Sequence, residues 1–513
     1  MAGKSTIAEH PSDPASQKHT SYRRIFTHSS IYVLGMLISK VVGFVMIPIY
    51  TRYLTPADYG ILELLTMTSD VIAMLIGVGL AHAVMRFYYN YKEQDDRNQV
   101  VSTALIAGLV IFVAGFGALT LESGLAAKLI LDSADMANYF TIIFITMMFF
   151  AGIEIPLVYL RAQQRSIYFV VVNLVKLVIQ LSLNIYFIVV LDWGVLGVLY
   201  SGLIASVAVG SFLSVKTFMD TGLRFSIDKF RELLRYGYPL LFTNLGAFIL
   251  TYSDRYFLKF YTDLNEVGIY SLGYKFGMLV SMLLIAPFHQ YWSAEMFAAA
   301  KRDDAPKVFR DFFTYSTLLS VVFCFALSIY IRNIIEIMAM ESYWPAYKVV
   351  PLVCLAYIVM GMQGFAGCGI LISKKTRYLA YSTAFAVAAN VALNFTLIPQ
   401  WGAVGAALAT IGSFWVRFYT TYRYSQRYFY LKYEWYRIGM ALFLAIVLLV
   451  GRYLISIDNR ILSLLIDTGF VIIYPLILYV IGWFNNREKE LITKLVRNPG
   501  KITGVVKLYK ENA

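Results

Sequence analysis

The sequence predicts an all-α protein that crosses a membrane many times. Three observations lead to this fold class: the composition, the spacing of the apolar runs and the distribution of charge. Of the 513 residues, 59% are hydrophobic and 15% are charged, whereas soluble domains are about 25% charged. The apolar residues cluster in runs of roughly 20, the length at which a helix crosses a bilayer about 30 Å thick. This pattern excludes a soluble enzyme, a secreted disulfide-bonded scaffold and a disordered chain.

Fourteen apolar runs follow one another along the chain, and we number them as spans 1 to 14. They lie near residues 29–52, 59–90, 98–121, 138–160, 167–191, 195–215, 237–258, 267–292, 311–331, 345–372, 378–398, 402–416, 438–456 and 462–484. Span 1 has no small-residue cleavage site, so it is expected to be an uncleaved membrane helix rather than a signal peptide.

The positive charges alternate from one side of these spans to the other. If the N-terminus is cytoplasmic, 32 of the 44 Lys and Arg residues fall on cytoplasmic segments and 7 on outer segments. Such an asymmetry is the positive-inside rule of membrane proteins. It predicts that both termini are cytoplasmic. It also accounts for the net charge of +13, so nucleic acid is not an expected partner.

The chain repeats itself at an offset near 208 residues. The segment from Tyr53 to Gly60 is similar to the segment from Tyr261 to Gly268, and Trp193-Gly194 is similar to Trp401-Gly402. Each repeat holds six spans, an even number, so both insert in the same orientation. Two parallel six-helix lobes around a central cavity are typical of a transporter that works by alternating access.

The repeat predicts the domain organisation. The expected parts are a disordered cytoplasmic tail (1–27), an N-lobe with spans 1 to 6 (28–220), an interfacial linker helix (221–236), a C-lobe with spans 7 to 12 (237–435), two extra C-terminal spans (436–484) and a basic cytoplasmic tail (485–513).

Several short strings carry a family resemblance. They are Ser39-Lys40-Val-Val-Gly43, Pro48-Ile-Tyr-Thr-Arg52, Tyr236-Gly-Tyr-Pro239, Ser253-Asp254-Arg255-Tyr256 and Val267-Gly268-Ile-Tyr270. With their order and the repeat, the chain resembles, over about residues 22–485, the polysaccharide repeat-unit (Wzx-like) flippases. These serve O-antigen, capsule and exopolysaccharide synthesis within the multidrug/oligosaccharidyl-lipid/polysaccharide exporter superfamily.

The resemblance implies a function and a location. Such proteins move an undecaprenyl-diphosphate-linked oligosaccharide from the inner to the outer leaflet of the bacterial cytoplasmic (inner) membrane. The implied partners are this lipid-linked oligosaccharide, the membrane lipids and other membrane proteins of polysaccharide assembly.

Positive charge at depth is the first requirement for an anionic headgroup, which cannot cross hydrocarbon unpaired. Lys40 lies about eleven residues into span 1 and is expected either to line the cavity or to form a structural ion pair. Lys275, Arg86 and Arg255 are further candidates for substrate binding. Lys275 and Arg86 lie close enough to span ends for their tips to reach the membrane surface instead.

Span 5 carries a polar stripe. Asn173, Lys176, Gln180 and Asn184 follow one another at spacings of three, four and four residues, which places them on one helical face. Such a stripe either lines a water-filled cavity, where it would bind substrate, or joins two helices.

Acidic side chains within the spans are candidates for ion coupling. Glu63 and Asp70 share a face of span 2, and Asp70 is expected to be a proton or cation site or else the counter-ion of Lys40. Glu154 in span 4 is a third candidate, with a salt bridge to Arg161 as the alternative. Asp254 is the fourth, with an interfacial pair to Arg255 as the alternative. No cofactor, metal site or catalytic residue is expected. Proton antiport, sodium antiport and movement of the anion driven by the membrane potential all fit these charges.

Two other functions compete with flipping. A multidrug or organic-cation antiporter of the same superfamily would need acidic residues at depth, and residues 29–52 contain none. A membrane-embedded polysaccharide polymerase or ligase would need a large outer loop, whereas the longest outer connections are near 122–137 and 332–344. The sequence has no Ser/His/Asp constellation and no phosphate-binding glycine loop, so it favours a transporter over an enzyme.

Overall fold

A computed structural model describes residues 43–455, 459–486, 488–490 and 493. All regular secondary structure within these ranges is helical, which confirms the predicted all-α class. The helices are α1 (Ile47–Tyr53), α2 (Pro56–Gly77), α3 (Leu80–Asn90), α4 (Gln94–Leu121), α5 (Ser123–Leu131), α6 (Ala137–Met148), α7 (Ala151–Ala162), α8 (Ser166–Ile185), α9 (Gly194–Thr221), α10 (Ile227–Tyr261), α11 (Leu264–Gly277), α12 (Ala286–Ala299), α13 (Ala305–Met338), α14 (Val350–Ala366), α15 (Cys368–Ile372), α16 (Arg377–Tyr428), α17 (Trp435–Tyr453) and α18 (Arg460–Val480).

Eleven helical stretches in the described ranges are long and apolar enough to cross a membrane. They confirm a multi-pass membrane protein. Most of span 1 lies outside the described residues, span 7 lies within α10, and spans 11 and 12 together make up α16. The count of fourteen spans therefore stays a prediction.

The long helix α16 reverses direction at Gly402, whose φ is +51° and ψ is −128°. On either side of it, Asn390 donates a hydrogen bond to Ser413 at 3.3 Å, and the hydroxyls of Tyr378 and Tyr428 are 3.0 Å apart. These contacts pair the two segments antiparallel. The backbone N–H of Ala403, just after the reversal, donates to Glu266 at 3.0 Å. Spans 11 and 12 therefore form a helical hairpin.

The first repeat contains the equivalent hairpin between α8 and α9. Gly194 has a φ of +53°, and Ser201 on α9 donates a hydrogen bond to Asn184 on α8. The two Trp-Gly pairs that define the sequence repeat therefore both mark a reversal between consecutive spans.

The chain forms two compact units, residues 1–248 and 249–513. The boundary falls within α10, beyond the predicted linker (221–236), because the linker is bound to the first unit. The backbone N–H of Arg224 donates to Ser102 at 2.9 Å, and Lys229 forms an ion pair with Asp96 at 2.6 Å.

The two C-terminal helices are joined to the second unit by a buried ion pair. Asp467 on α18 is fully buried and accepts hydrogen bonds from Arg452 on α17 and from Asn333 on α13, the latter at 2.7 Å. Polar contacts of this kind join helices where lipid provides no hydrophobic driving force.

Candidate functional site

The first unit contains a cavity of about 270 Å³. Its polar lining comes from Asp70 on α2, His82 on α3, Glu154 on α7 and Asn244 on α10. Phe112 and Phe150 form part of its apolar wall, with stacked rings 5.6 Å apart. No three His, Cys, Asp or Glu side chains within the described ranges are placed to hold one metal ion.

A break in span 2 brings the cavity residues together. Val78 and Gly79, with φ values of +44° and +67°, both adopt the left-handed conformation and separate α2 from α3. Because α3 leaves α2 in a new direction, Asp70 before the break and His82 after it line the same cavity. Gly237 of α10 packs directly against the break, since a Cβ atom on Gly79 would lie 3.2 Å from the Cα of Gly237.

Neither cavity carboxylate makes a direct polar contact within the described residues, although His82 and Arg161 lie near enough to attract the charge of Glu154. Asp70 is exposed, Glu154 is half-buried, and neither forms a hydrogen bond or an ion pair there. The alternative salt bridge between Glu154 and Arg161 is not formed, because Arg161 is exposed and lies over the ring of Phe169 at 5.7 Å. An unpaired carboxylate is costly within a membrane, so these groups are suited to take up a proton or a small cation.

Two other residues bear on this cavity. Glu63 lies two turns before Asp70 on the same face of α2 and is half-buried. Lys40, the alternative counter-ion of Asp70, lies outside the described residues. The choice between a cation site and a Lys40 ion pair at Asp70 therefore stays open.

The polar stripe of span 5 lies on α8, and its members have different surroundings. Asn184 is buried and donates a hydrogen bond to the hydroxyl of Tyr50 at 2.8 Å, so this end of the stripe joins helices. Asn173 donates to the backbone of Phe169 at 2.8 Å. Gln180 is half-buried and faces Gly202 on α9. Lys176 is half-buried and forms no hydrogen bond or ion pair with a described residue.

The other two predicted cations of the described ranges differ in exposure and contacts. Arg86 is exposed on α3, and its guanidinium lies 4.6 Å from the ring centroid of Tyr236. Lys275 is half-buried on α11. Their predicted roles in substrate binding stay predictions.

Asp254 and Arg255 form a buried cluster rather than an interfacial pair. Each is 2% exposed, and their side chains are 2.6 Å apart. Tyr270 donates its hydroxyl hydrogen bond to Asp254, and the guanidinium lies 3.9 Å from the ring centroid of Tyr274. Thr251 also accepts a hydrogen bond from Arg255, at 2.7 Å. The charge of Arg255 is thus neutralised within the protein.

Two features were missed by the sequence analysis. Arg417 was counted with the cytoplasmic charges, but it lies within α16, eleven residues before the helix ends. Arg452 was counted with the outer charges, but it forms the buried pair with Asp467. Asp467 is the one acidic residue of α18, and that isolation was the available signal.

Comparison with known proteins gives the family. A family model described as polysaccharide biosynthesis protein matches residues 26–291, just over half of the chain. The chain belongs to this family. The predicted resemblance to a family of polysaccharide biosynthesis is confirmed.

Two curated relatives match part of this family member. One is an uncharacterized membrane protein of Haemophilus influenzae, 22% identical over 270 residues, which cover 50% of this chain and 62% of the relative. The other is a probable low-salt glycan biosynthesis flippase of Haloferax volcanii, 23% identical over 246 residues, which cover 46% of this chain and 51% of the relative. The chain thus spans between half and two thirds of the length of these relatives.

Solved structures of transporters share the fold of this family member. The lipid II flippase MurJ in an inward closed conformation aligns with a TM-score of 0.71 and 14% identity, covering 87% of this chain and 98% of MurJ. An inward-facing multidrug resistance MATE transporter of the MOP superfamily aligns with a TM-score of 0.58 and 15% identity, covering 79% of this chain and 98% of the transporter. At such identities the likeness shows the fold alone.

Proposed function

We propose that this protein moves a lipid-linked oligosaccharide, carried on undecaprenyl diphosphate, from the inner to the outer leaflet by alternating access. One observation carries the proposal: a chain of the polysaccharide biosynthesis family has the fold of a lipid II flippase over 87% of its length. The named glycan flippase among its relatives supports the same substrate class. The sugar and the diphosphate would cross inside the protein while the polyprenyl tail stays in lipid.

The charges of the membrane helices suit an anionic cargo. Lys176 on α8 and Arg417 on α16 are half-buried and lack a carboxylate partner within the described residues. A cation in a membrane helix is expensive unless it meets water or an anion. We assign Lys176 to the diphosphate-bearing headgroup.

Coupling is assigned to the cavity of the first unit. Asp70 and Glu154 would bind a proton or a sodium ion there, because both carboxylates line the cavity and neither forms a hydrogen bond or an ion pair with a described residue. Charging and neutralising these groups would change the free energy of the conformations that expose the cavity. No metal cofactor takes part in this proposal.

The same acidic cavity favours one competing function, an organic-cation antiporter. Two carboxylates and an aromatic wall at Phe112 and Phe150 are groups that attract a lipophilic cation. The experiment must therefore separate an anionic glycolipid from a cationic drug as the cargo.

The test uses the full-length protein in liposomes of neutral phosphatidylcholine. The probe is a polyprenyl diphosphate bearing an N-acetylglucosamine unit, placed in both leaflets, and a membrane-impermeant lectin reports how much reaches the outside. Wild-type protein should increase the lectin-accessible fraction with time. Lys176→Gln should slow this increase about tenfold, whereas the exposed and unpartnered Lys128 on α5 provides the control, Lys128→Gln, which should leave it unchanged.

A parallel assay decides between the two functions. The same vesicles are loaded with ethidium, and its efflux is followed under an imposed pH or sodium gradient. Movement of the glycolipid without ethidium efflux supports the flippase. Ethidium efflux without glycolipid movement would refute it and favour the antiporter.

A further inference from the structure

The C-terminal half of α16 presents a face of alternating cations and tyrosines. Arg417, Thr420, Tyr424 and Arg427 follow one another at spacings of three or four residues, and Tyr428 lies four residues after Tyr424, so all five lie on one side of the helix. We call these five residues the Arg417 face. It runs from the interior of the hairpin to the end that the positive-inside rule assigns to the cytoplasm.

Arg417 differs from three other buried or half-buried arginines of the second unit. Arg255, Arg437 and Arg452 are each paired with a carboxylate, at Asp254, at Glu434 and Glu488, and at Asp467. In contrast, the half-buried Arg417 has no hydrogen bond and no ion pair from its guanidinium to any residue of the described ranges, and its Nε is buried without a partner. The Arg417 guanidinium therefore lacks the carboxylate partner that Arg255, Arg437 and Arg452 have among the described residues.

The rest of the face is a cluster of tyrosine rings and arginines. Tyr424 stacks on Tyr378 from the other arm of the hairpin, with ring centroids 4.5 Å apart, and the hydroxyl of Tyr378 is 3.0 Å from that of Tyr428. Arg427 lies 5.7 Å from the centroid of Tyr424, and Arg377 lies 5.1 Å from that of Tyr378. Both arginines are exposed.

An ordinary interfacial belt explains only part of this arrangement. Tyrosine and arginine are common at the ends of membrane helices, where they contact lipid headgroups. Arg417, however, is half-buried, and its Nε is buried without a hydrogen-bond partner among the described residues. A belt arginine that only contacts lipid headgroups would keep its guanidinium in contact with them or with water.

We propose that the Arg417 face binds the phosphate-linked sugar of the lipid-linked oligosaccharide during its entry, with Arg417 holding a phosphate and Tyr424 with Tyr378 contacting the sugar. The inference rests on the proposed function. A guanidinium binds phosphate through two parallel hydrogen bonds, and tyrosine offers an apolar ring together with a polar hydroxyl. The two exposed arginines would attract the anion before it reaches Arg417.

The test measures binding to full-length protein in phosphatidylcholine nanodiscs. The probes are a fluorescent farnesyl diphosphate and the same molecule carrying an N-acetylglucosamine disaccharide. Arg417→Gln should weaken binding of both probes at least tenfold, and Arg417→Lys should restore part of the affinity. Tyr424→Leu should weaken binding of the disaccharide probe and leave binding of farnesyl diphosphate within about twofold.

The matched control is Lys432→Gln. Lys432 is an exposed cation that follows the end of α16 and therefore lies off the Arg417 face, so its removal should change both affinities less than about twofold. Equal losses for Arg417→Gln and Lys432→Gln would overturn the proposal, because they would show unspecific attraction. Displacement of the disaccharide probe by an equal concentration of phosphatidylglycerol would also overturn it, since the face would then be a phospholipid site.

Two further measurements keep the result interpretable. Because its charge is unpaired, Arg417→Gln should leave the melting temperature unchanged or raise it, and a lower one would indicate a structural role instead. Suppose that the wild-type protein moves the glycolipid in the lectin assay, and that Arg417→Gln moves it at the same rate and binds both probes with the same affinity. This inference then fails while the proposed function stands. If the wild-type protein neither binds nor moves the glycolipid, the proposed function fails as well.

Discussion

Gly237 and Val78 are in direct backbone contact. A Cβ atom on Gly237 would lie 1.9 Å from the carbonyl oxygen of Val78, so only glycine lets α10 approach the break in span 2 this closely. The contact is extended by the ring of Tyr236, which lies under Arg86. The break that shapes the acidic cavity is therefore held by the helix that continues into the second unit.

This contact predicts that Gly237→Ala destabilises the protein. Within a helix, Gly→Ala normally stabilises by about 0.5–1 kcal/mol. Here the added methyl group overlaps a carbonyl oxygen, so we expect a net loss of roughly 1–3 kcal/mol, measured as a lower melting temperature and slower glycolipid movement in liposomes.

The control for that variant is Gly439→Ala on α17. A Cβ atom at Gly439 meets nothing within 4 Å, so this variant should be as stable as the wild type or slightly more stable. If Gly237→Ala behaves like Gly439→Ala, the backbone contact does not constrain α10.

The acidic cavity predicts that Asp70→Asn removes ion coupling without lowering the stability of the protein. Asp70 has no hydrogen bond or ion pair with a described residue, so removing its charge should leave the melting temperature unchanged or raise it. Transport driven by a pH or sodium gradient should lose its dependence on that gradient. The comparison is the rate with and without the gradient, for wild type and variant. A variant that keeps the full gradient response would exclude Asp70 as the coupling group.

The fold was largely predictable because its signals are local. Apolar length identifies a membrane helix without knowledge of its neighbours, and the Trp-Gly repeat located both hairpin turns. Helix ends were less certain. The second half of α16 continues to Tyr428, beyond the apolar run that ends near residue 416, and Arg417 was therefore assigned to a loop.

The candidate site was predictable only in part because it depends on contacts that are distant in sequence. Asp70 and Glu154 were identified since carboxylates are rare in apolar runs. Their shared cavity with His82 depends on the left-handed conformation of Val78, and a β-branched residue gives no sequence signal for that conformation. Asp254 and Arg255 were predicted as coupling and substrate-binding candidates, with an interfacial pair as the alternative, and no sequence signal indicated that Tyr270 and Tyr274 pack against them.

The linker predicts a titration that is specific to one tyrosine. Tyr91, between α3 and α4, donates a hydrogen bond to Glu232 at 2.8 Å, and partial burial with this nearby carboxylate raises the pKa of Tyr91 to about 12. Because the folded state holds the proton more tightly, this contribution to stability is present below pH ~10, the usual pKa of tyrosine. It is lost as the pH rises toward 12.

The measurement is the ultraviolet absorbance of tyrosinate as a function of pH, taken as the difference between wild type and Tyr91→Phe. The difference should titrate near pH 12. Glu232→Gln removes the acceptor charge and should move that titration down in pH. A difference titration already complete near pH ~10 would contradict the hydrogen bond.

The pair between Arg452 and Asp467 predicts that removing one partner lowers the stability far more than removing both. Asp467→Ala leaves the Arg452 guanidinium buried without its counter-ion, which costs about 3–5 kcal/mol. The variant should show a clearly lower melting temperature. The control is Glu336→Gln, which breaks the more exposed i,i+4 pair with Arg332 and should cost about 0.5 kcal/mol or less.

A double variant shows whether the pair or its charge stabilises the C-terminal helices. Arg452→Met with Asp467→Leu removes both charges and fills the space with apolar groups, so it should recover most of the stability that Asp467→Ala loses. Asn333 then loses its acceptor, which limits the recovery. A double variant as unstable as Asp467→Ala would mean that the ion pair itself, rather than the avoidance of an unpaired charge, holds α17 and α18 to α13.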